Sequence, residues 1–311
     1  MAWRRAVRLH PVKPGLRSRK FVDMKLIRGG AFLMGSDVHY PEEAPRRSET
    51  VGDFWIDIYP VANRAFAQFV DATGYVTLAE LPPNPEDYPG MAAGLAQPGS
   101  AVFAPPDGPV PLSDPSGWWR FVIGANWRHP TGPDSSIEGI MDHPVVQVAY
   151  ADAEAYARWA GKSLPTEAQW EFAARGGRFD GAYAWGDELA PGGQMLANYW
   201  QGEFPWRNTL EDGYLRTSPV GAYPPNGYGL YDMIGNTWEW TATAFNLAKR
   251  GCCAPVEAGR SAGAEFEQKA LKGGSHLCAE NYCQRYRPAA RYPQPVDSPT
   301  SHIGFRCVVR R

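Results

Sequence analysis

The sequence predicts a compact, loop-rich α+β fold in which regular secondary structure is sparse. Gly 33 and Pro 29 together make about a fifth of the chain, which is typical of a fold with many turns. Trp 12, Tyr 15 and Phe 13 supply enough large apolar surface for dense packing. At 311 residues and 44% hydrophobic content, the chain can bury a large core, as one domain or as two ordinary ones.

Charge and cysteine content narrow the functional class. A net charge of −2 gives no reason to expect nucleic acid or an anionic membrane as a partner. No apolar stretch is long enough to span a membrane, and the start of the chain shows no signal segment, so we expect a cytoplasmic protein. The odd number of cysteines favours reduced thiols over a disulfide framework, at Cys252, Cys253, Cys278, Cys283 and Cys307.

The N-terminal third begins with an unpatterned segment. Residues 1–20 are basic and we expect them to be flexible, without an assigned function. Residues 24–36 contain two apolar runs around Gly29-Gly30, a pattern that predicts a β-hairpin. Residues 54–59 predict a strand, and a helix is expected over 64–73.

Signals for helix ends support the remaining assignments. Asn63 is a reasonable N-cap for the first helix, and Gly74 closes it. The Pro- and Gly-rich stretch from 81 to about 115 is too long for a simple connection, so we expect a packed loop that shapes a groove. Residues 144–148 predict a strand, and 151–160 predict a helix ended by Gly161.

Thr166 and Gln169 form a capping box that predicts a third helix, ended by Gly176-Gly177. We expect the carboxylates of Glu154, Glu167 and Glu171 to lie on helix surfaces with structural roles. Beyond residue 177 the pattern predicts only short strands and turns, and no internal repeat is visible.

Cys278 and Cys283 are the chemical centre of the chain. Thiolates select Cu(I), Zn(II) or iron–sulfur centres over the hard cations that carboxylates prefer. In a strand or a helix, residues i and i+5 point in different directions, so the two sulfurs converge only if the backbone turns between them, at Glu280-Asn281. Neither a zinc-ribbon nor a thioredoxin-type C-x-x-C spacing is present, which leaves a two-sulfur site as the simplest geometry.

Other polar residues give weaker signals. Asn198 with Asp212, and Asp232 with Gly235 and Glu239, supply oxygen ligands of the kind that Ca²⁺ accepts, although spacing alone favours ordinary turn-forming roles. The six histidines show no helical zinc or iron pairing. Two of them lie in the tract that brackets the cysteine pair, namely His276 and His302.

Five ordered motifs resemble the formylglycine-generating enzymes, also called sulfatase-modifying factors. They comprise residues 29–36, 164–177, 235–240, 272–275 and 304–307. The resemblance covers nearly everything after residue 22, and the Cys278/Cys283 pair distinguishes the oxidase from other members of the fold. It implies a single domain, residues 21–311, with a C-type-lectin-like core. The implied form is prokaryotic, cytoplasmic and monomeric.

The resemblance also implies the activity. Such an enzyme oxidises the cysteine of a Cys-x-Pro-x-Arg motif in a sulfatase polypeptide to Cα-formylglycine, with O2 as oxidant and a thiol as reductant. Cys278 and Cys283 would hold Cu(I), and the substrate cysteine would join as a third ligand. The residues that match the family's catalytic pocket are Ser275, Trp238, Tyr282 and His302, beside the two cysteines.

Two structural calcium sites are implied in the same way. The first comprises Asn198, Tyr199, Asp212 and Tyr214, and the second Asp232, Gly235, Thr237 and Glu239, with backbone oxygens contributed at both tyrosines, at Gly235 and at Thr237. Two departures from secreted relatives stand out. His302 replaces a frequent Asn, and Pro288 replaces one disulfide cysteine, so that Cys307 lacks a partner.

Three other interpretations compete with the oxidase. A non-catalytic, lectin-like binding module could keep the fold without the reaction. A non-haem iron sulfoxide synthase is disfavoured because its three-histidine motif and extra helical domain are missing. A thiol–disulfide exchanger is disfavoured because no C-x-x-C precedes a helix.

Overall fold

The computed structural model describes residues 21–91, 93–246 and 267–310. The basic segment 1–20 and the Cys252-Cys253 pair, on which expectations were stated above, lie outside these ranges. No helix in the described ranges combines the length and the apolarity that crossing a membrane requires.

Three α-helices lie at the predicted positions. Their bounds are α1 Asn63–Thr73, α2 Tyr150–Trp159 and α3 Glu167–Ala174. The predicted N-cap of α1 is wrong, because Ala62 takes that position and Asn63 is the first helical residue, with its side-chain amide donating to the Ile140 carbonyl.

Gly74 ends α1 in the left-handed conformation, at φ 65°, where an L side chain would be strained. The Thr166 hydroxyl accepts the Gln169 amide at the start of α3 while the Gln169 side chain accepts the Thr166 amide, which is the predicted capping box. The predicted positions of all three helices are confirmed to within one residue at each end.

The strands are short, and most belong to small sheets. Their bounds are β1 Met24–Ile27, β2 Gly30–Met34, β3 Arg47–Val51, β4 Phe54–Asp57, β5 Gly99–Phe103, β6 Trp119–Ile123, β7 Gly202–Glu203, β8 Arg207–Asn208, β9 Trp238–Ala244, β10 Gln268–Lys272, β11 Arg291–Pro295, β12 Ile303–Gly304 and β13 Val308–Arg310.

Two sheets organise the core. One has the order β1-β4-β13, which brings the first and last described strands against the same neighbour, and the other has the order β11-β10-β9-β12. Three two-stranded ribbons, β2-β3, β5-β6 and β7-β8, complete the strand pairing among the described residues. The four-stranded sheet carries at its ends the loops that hold the cysteine pair.

Aromatic side chains fill the main core between the helices and this sheet. Phe66 of α1 is fully buried and packs edge-on against Phe69, Trp127 and Phe305. Such edge-to-face contacts add about 0.5–1.5 kcal/mol each beyond area burial. The rings account for dense packing in a chain with so little regular structure.

The predicted hairpin at residues 24–36 is wrong. Both strands exist, but β1 pairs with β4 and β2 pairs with β3. Gly29 lies so close to the facing chain that an added Cβ would approach the Val51 carbonyl oxygen to 2.2 Å. The glycines therefore allow a close crossing between two sheets instead of a reversal.

Two further expectations need correction. Residues 144–148 form no strand, because Gln147 has a φ of 61° and its amide bonds to Thr300 instead of a ladder. Glu167 and Glu171 are buried and not on the helix surface. Glu171 is neutralised by Lys272 at 2.9 Å and by Arg175 at 2.7 Å, so its role is structural but internal.

Candidate metal centre and catalytic cleft

The cysteine tract leaves the end of β10 through two glycines in left-handed conformations. Gly274, at φ 73°, lies against the far end of the tract, where a Cβ would meet the Arg285 carbonyl oxygen at 2.7 Å. Only glycine allows the loop to close on itself at this spacing. The tract is thus a compact loop held at both ends.

The two sulfurs converge within this loop. Cys278 Sγ and Cys283 Sγ lie 3.3 Å apart, and both side chains are buried. A hydrogen-bonded turn over Glu280-Asn281 brings them together, closed by the Cys283 amide donating to the Ala279 carbonyl at 2.9 Å. The chain therefore turns where the spacing predicted.

The sulfur separation is informative in itself. It exceeds the roughly 2.05 Å of a disulfide, so both thiols are free. Two metal–sulfur bonds of about 2.3 Å would place the sulfurs about 4.6 Å apart around a linear ion, and less around a bent one. The sulfurs would separate by about 1.3 Å around a linear ion, and as two soft donors on one loop they fit the ligand preference of Cu(I).

No group of three or more His, Cys, Asp or Glu side chains converges on a metal position within the ranges the structure describes. Cys278 and Cys283 both line a cleft, so a third ligand that enters the cleft can reach them.

The sulfurs lie in a cleft of about 330 Å³. All six side chains for which the resemblance implies a catalytic role line it, namely Cys278, Cys283, Ser275, Trp238, Tyr282 and His302. The rest of the lining is largely aromatic, small or hydroxyl-bearing, from Ala101, Trp118, Trp119, Phe204, Leu277, Arg285, Tyr292, Gln294, Ser298 and Thr300. Because Ala101 belongs to β5, the loop over 81–115 does contribute to a groove, as its length indicated.

The two thiols differ in acidity. The hydrogen bond from Cys278, together with the nearby Arg285 guanidinium, lowers the pKa of Cys283 to about 6. Burial raises the pKa of Cys278 well above its usual value. Cys283 is therefore the more acidic of the two thiols, and a soft cation that binds both sulfurs would displace their remaining protons.

Burial keeps His302 and Tyr282 neutral in the cleft. Burial lowers the pKa of His302 to about 3, so this ring is uncharged at neutral pH. Its Nδ1 lies 2.6 Å from the Thr300 hydroxyl, and its ring packs on Trp119. Burial raises the pKa of Tyr282 to about 12, and this ring stacks on Phe204 at 4.6 Å.

The first implied calcium set has a buried carboxylate oxygen. Asp212 Oδ1 accepts the Tyr214 amide at 3.0 Å, and Asp212 Oδ2 is buried near the Tyr223 hydroxyl without a well-formed hydrogen bond. Burial raises the pKa of this carboxyl. Asn198 is also buried, and its amide group donates to the Arg216 carbonyl at 2.8 Å. A buried carboxylate oxygen without a well-formed hydrogen bond fits a hard cation.

The second set fits less well as it stands. Both oxygens of Glu239 bond to Arg306, at 2.8–3.0 Å, and one of them also accepts from Trp170 at 2.7 Å. Asp232 Oδ2 accepts the Gly221 amide at 2.7 Å. The Thr237 hydroxyl is buried without a partner. A cation here would have to share Glu239 with Arg306.

Sequence reasoning missed several cleft residues. Trp118 and Trp119 follow the long Pro- and Gly-rich stretch. Two consecutive tryptophans after such a loop were the sequence feature that could have indicated their place in the cleft. Arg285 lies in the cysteine tract, yet nothing in the local pattern shows that its guanidinium faces the sulfurs.

Comparison with known proteins extends the resemblance over nearly the whole chain. The family model for the sulfatase-modifying factor enzyme 1-like domain matches residues 13–311. The formylglycine-generating enzyme of Mycobacterium tuberculosis is 57% identical over 286 residues, covering 90% of this chain and 95% of that protein. The corresponding enzyme of Bos taurus is 44% identical over 299 residues, covering 94% and 76%.

Solved structures give the same fold. The structure of PvdO from Pseudomonas aeruginosa superposes with a TM-score of 0.60 at 25% identity, covering 92% of this chain and 93% of that one. The expected loop-rich α+β architecture in a single domain is confirmed, and so is the family resemblance.

Proposed function

The chain belongs to the formylglycine-generating enzyme family, and on that basis we propose that it oxidises the cysteine of a Cys-x-Pro-x-Arg motif in sulfatases to Cα-formylglycine. It does so with O2, at a Cu(I) ion bound by Cys278 and Cys283. The observation that carries the proposal is the pair of free sulfurs, 3.3 Å apart, in an open cleft.

The substrate cysteine enters the cleft above this pair. When bound, copper supplies a third coordination position for the substrate sulfur and a means of activating O2. The aromatic walls formed by Trp238, Tyr282 and Trp119 exclude water around the reacting carbon. A cleft with these aromatic walls accommodates an extended peptide segment better than the surface of a folded protein, because only a single strand of chain enters it.

Neutral polar groups orient the reactants. His302, uncharged because burial lowers its pKa to about 3, offers a ring nitrogen to a bound hydroxyl or thiol. The Tyr282 hydroxyl keeps its proton and acts as a hydrogen-bond donor. Buried Ser275 accepts the Leu277 amide at 3.2 Å, which fixes its hydroxyl beside Cys278.

The overall reaction balances with a thiol reductant. Removal of two hydrogens from the substrate cysteine gives a thioaldehyde, and its hydrolysis gives the aldehyde and hydrogen sulfide. Reduction of O2 to water takes four electrons, two from the substrate and two from the oxidation of two external thiol groups to a disulfide. The proposal therefore names sulfatase polypeptide, O2 and thiol as the partners.

Calcium is proposed as a structural cation. The buried Asp212 oxygen favours calcium binding at the first set of residues. The second set binds calcium only if Glu239 gives up a hydrogen bond from Arg306 to coordinate the ion. Calcium chelation should lower the thermal midpoint of the wild-type protein, and Asp212→Ala should abolish that response. An unchanged midpoint on chelation contradicts both sites, and a response that survives in Asp212→Ala but not in Asp232→Ala assigns it to the second.

We also propose a cytoplasmic monomer. The three cysteines in the described residues, Cys278, Cys283 and Cys307, are all free, as a reducing compartment requires. Size-exclusion chromatography with light scattering at working concentration tests the monomer, and a stable dimer mass contradicts it.

Mass spectrometry of a target peptide tests the function. In a Cys-x-Pro-x-Arg peptide incubated with the protein, Cu(I), O2 and a thiol, the cysteine should lose one sulfur and two hydrogen atoms and gain one oxygen atom as an aldehyde. Cys278→Ser and Cys283→Ser should each abolish aldehyde formation. Cys307→Ala is the matched control, because this thiol is equally buried but does not line the cleft.

The outcomes separate the alternatives. Normal turnover by either serine variant refutes the two-sulfur mechanism. If the wild-type protein binds no Cu(I) anaerobically and produces no aldehyde, the non-catalytic binding module becomes the better description of the chain.

A further inference from the structure

Arg285 brings a cation to the cysteine pair. Its Nη1 lies 3.6 Å from Cys283 Sγ, within hydrogen-bonding distance for sulfur. Among the described side chains that line the cleft, Arg285 carries the single permanent charge. The other side chains that line the cleft are apolar, aromatic or neutral hydrogen-bonding groups, so the anion that faces this guanidinium, Glu42, lies outside the lining.

The guanidinium is held from its other side by the N-terminal half of the chain. Its Nε and Nη2 both donate to Glu42 Oε1, at 3.1 and 2.6 Å. The group also packs over the Tyr40 ring, 3.8 Å from the centroid. Tyr40 is itself fixed, because its hydroxyl accepts the Gln284 amide at 3.0 Å. Two of the three nitrogens are thus engaged, and the third points at the sulfur.

The positive charge of Arg285 can offset the net negative charge of a copper ion together with the thiolates that bind it. Two thiolates around one monovalent cation carry a net charge of −1, and a third thiolate from the substrate makes it −2. A buried anion of this kind is costly without a partner. A guanidinium in a fixed orientation supplies both charge and a hydrogen bond, and such charge-assisted bonds are the stronger ones.

We propose that Arg285 is a positioning residue for the reaction, which orients Cys283 and compensates the charge of the bis-thiolate site, and that Glu42 and Tyr40 hold it in place. The charge-compensating role rests on the proposed function, because it requires bound copper. The orienting role rests on the contacts of Arg285 with Cys283, Glu42 and Tyr40. We therefore expect the segment around Tyr40–Glu43 to act on the metal site although it touches neither sulfur.

Arg287 provides a matched control. It lies in the same tract and is also paired with a glutamate, since its Nη1 and Nη2 donate to the two oxygens of Glu43 at 2.9 and 2.6 Å, and it is near the same Tyr40 ring at 5.8 Å. Arg287 does not line the cleft. A lysine at either position keeps the charge but loses the planar fork, so the two variants differ mainly in their distance from the sulfurs.

The experiment measures Cu(I) affinity anaerobically at fixed pH, by competition with a chromophoric chelator, on the full chain. Arg285→Met should weaken binding at least tenfold, Arg285→Lys should recover part of that loss, and Glu42→Gln should weaken binding less than Arg285→Met. Arg287→Lys should lower the unfolding midpoint but leave Cu(I) affinity within twofold. A metal-free readout, the alkylation rate of Cys283 by iodoacetamide, should fall in parallel in Arg285→Met.

The two readouts distinguish this inference from the proposed function. Slower alkylation in Arg285→Met, with no Cu(I) binding even by the wild-type protein, supports the role of Arg285 and removes copper from the mechanism. If Arg285→Met is folded by circular dichroism but its alkylation rate and Cu(I) affinity match the wild type, the inference is overturned. Equal losses in Arg285→Lys and Arg287→Lys would also overturn it, since they would mark a purely structural role.

Discussion

At the scale of single residues, buried polar groups decide which side chains take part in chemistry and which only support it. His276 illustrates the second case. It is two residues from Cys278, but its ring is buried behind the cleft, with Nδ1 2.8 Å from the Asn236 carbonyl oxygen. Because a carbonyl can only accept, Nδ1 carries the proton and Nε2 is left as an acceptor.

His276 should make the protein sensitive to acid. Burial lowers its pKa from 6.5 to about 4. Below pH 6.5, His276 takes up a proton in the unfolded chain but stays neutral in the folded protein. The free energy of unfolding therefore falls as the pH drops from 6.5 to about 4. At pH 5 the loss is about 2 kcal/mol by linkage.

Urea unfolding of the wild type and of His276→Gln at pH 7 and pH 5 measures this effect. The variant should lose less stability between the two pH values than the wild type. The same loss in both proteins would show that other groups cause the acid sensitivity.

At the scale of elements, local sequence signals were sufficient to predict where helices begin and end. They were not sufficient to predict which strands pair with each other. The capping box of Thr166 and Gln169 and the left-handed Gly74 depend on neighbours within four residues, and both are found as expected. The residues that pair with β1 and β2 lie 13 to 33 positions away, and β4 in turn pairs with the C-terminal β13, so the hairpin predicted from a local Gly-Gly signal does not form.

The capping box makes a quantitative prediction. Thr166→Ala removes the side-chain acceptor for the Gln169 amide, now at 3.1 Å, and should lower the free energy of unfolding by about 1 kcal/mol. Thr166→Ser keeps the hydroxyl oxygen and should lose less than half of that. Chemical denaturation gives both values, and equal losses in the two variants would indicate that the methyl group matters and the cap does not.

At the scale of the whole molecule, long-range polar contacts join segments that the sequence keeps far apart. The cysteine spacing and its turn could be read locally, so the sulfur pair was predictable. The contact of Arg285 with Glu42 could not be predicted, because the two residues lie 243 positions apart in the sequence. The same is true of the cleft walls, because Trp119 and His302 meet only through the fold.

Arg306 is the strongest of these long-range ties. It is fully buried, pairs with both oxygens of Glu239, and donates to four backbone carbonyls, those of Asp57, Ile58, Tyr231 and Asp232. Arg306→Met would leave a buried carboxylate without its cation and should cost about 3–5 kcal/mol.

An exposed pair serves as the comparison. Arg64→Met, which breaks the surface contact with Asp142, should change stability by less than about 1 kcal/mol. Thermal and chemical unfolding of both variants test the contrast, and similar losses would mean that burial does not govern the strength of these pairs.

The central claim is that Cys278 and Cys283 together bind one Cu(I) ion and leave room for the substrate sulfur. X-ray absorption at the copper edge of the anaerobically loaded protein tests it most directly. The account predicts two sulfur ligands and no nitrogen or oxygen ligand, with a third sulfur when the target peptide is added. A copper ion bound to histidine nitrogen, or two-sulfur coordination that persists in Cys283→Ser, would contradict it.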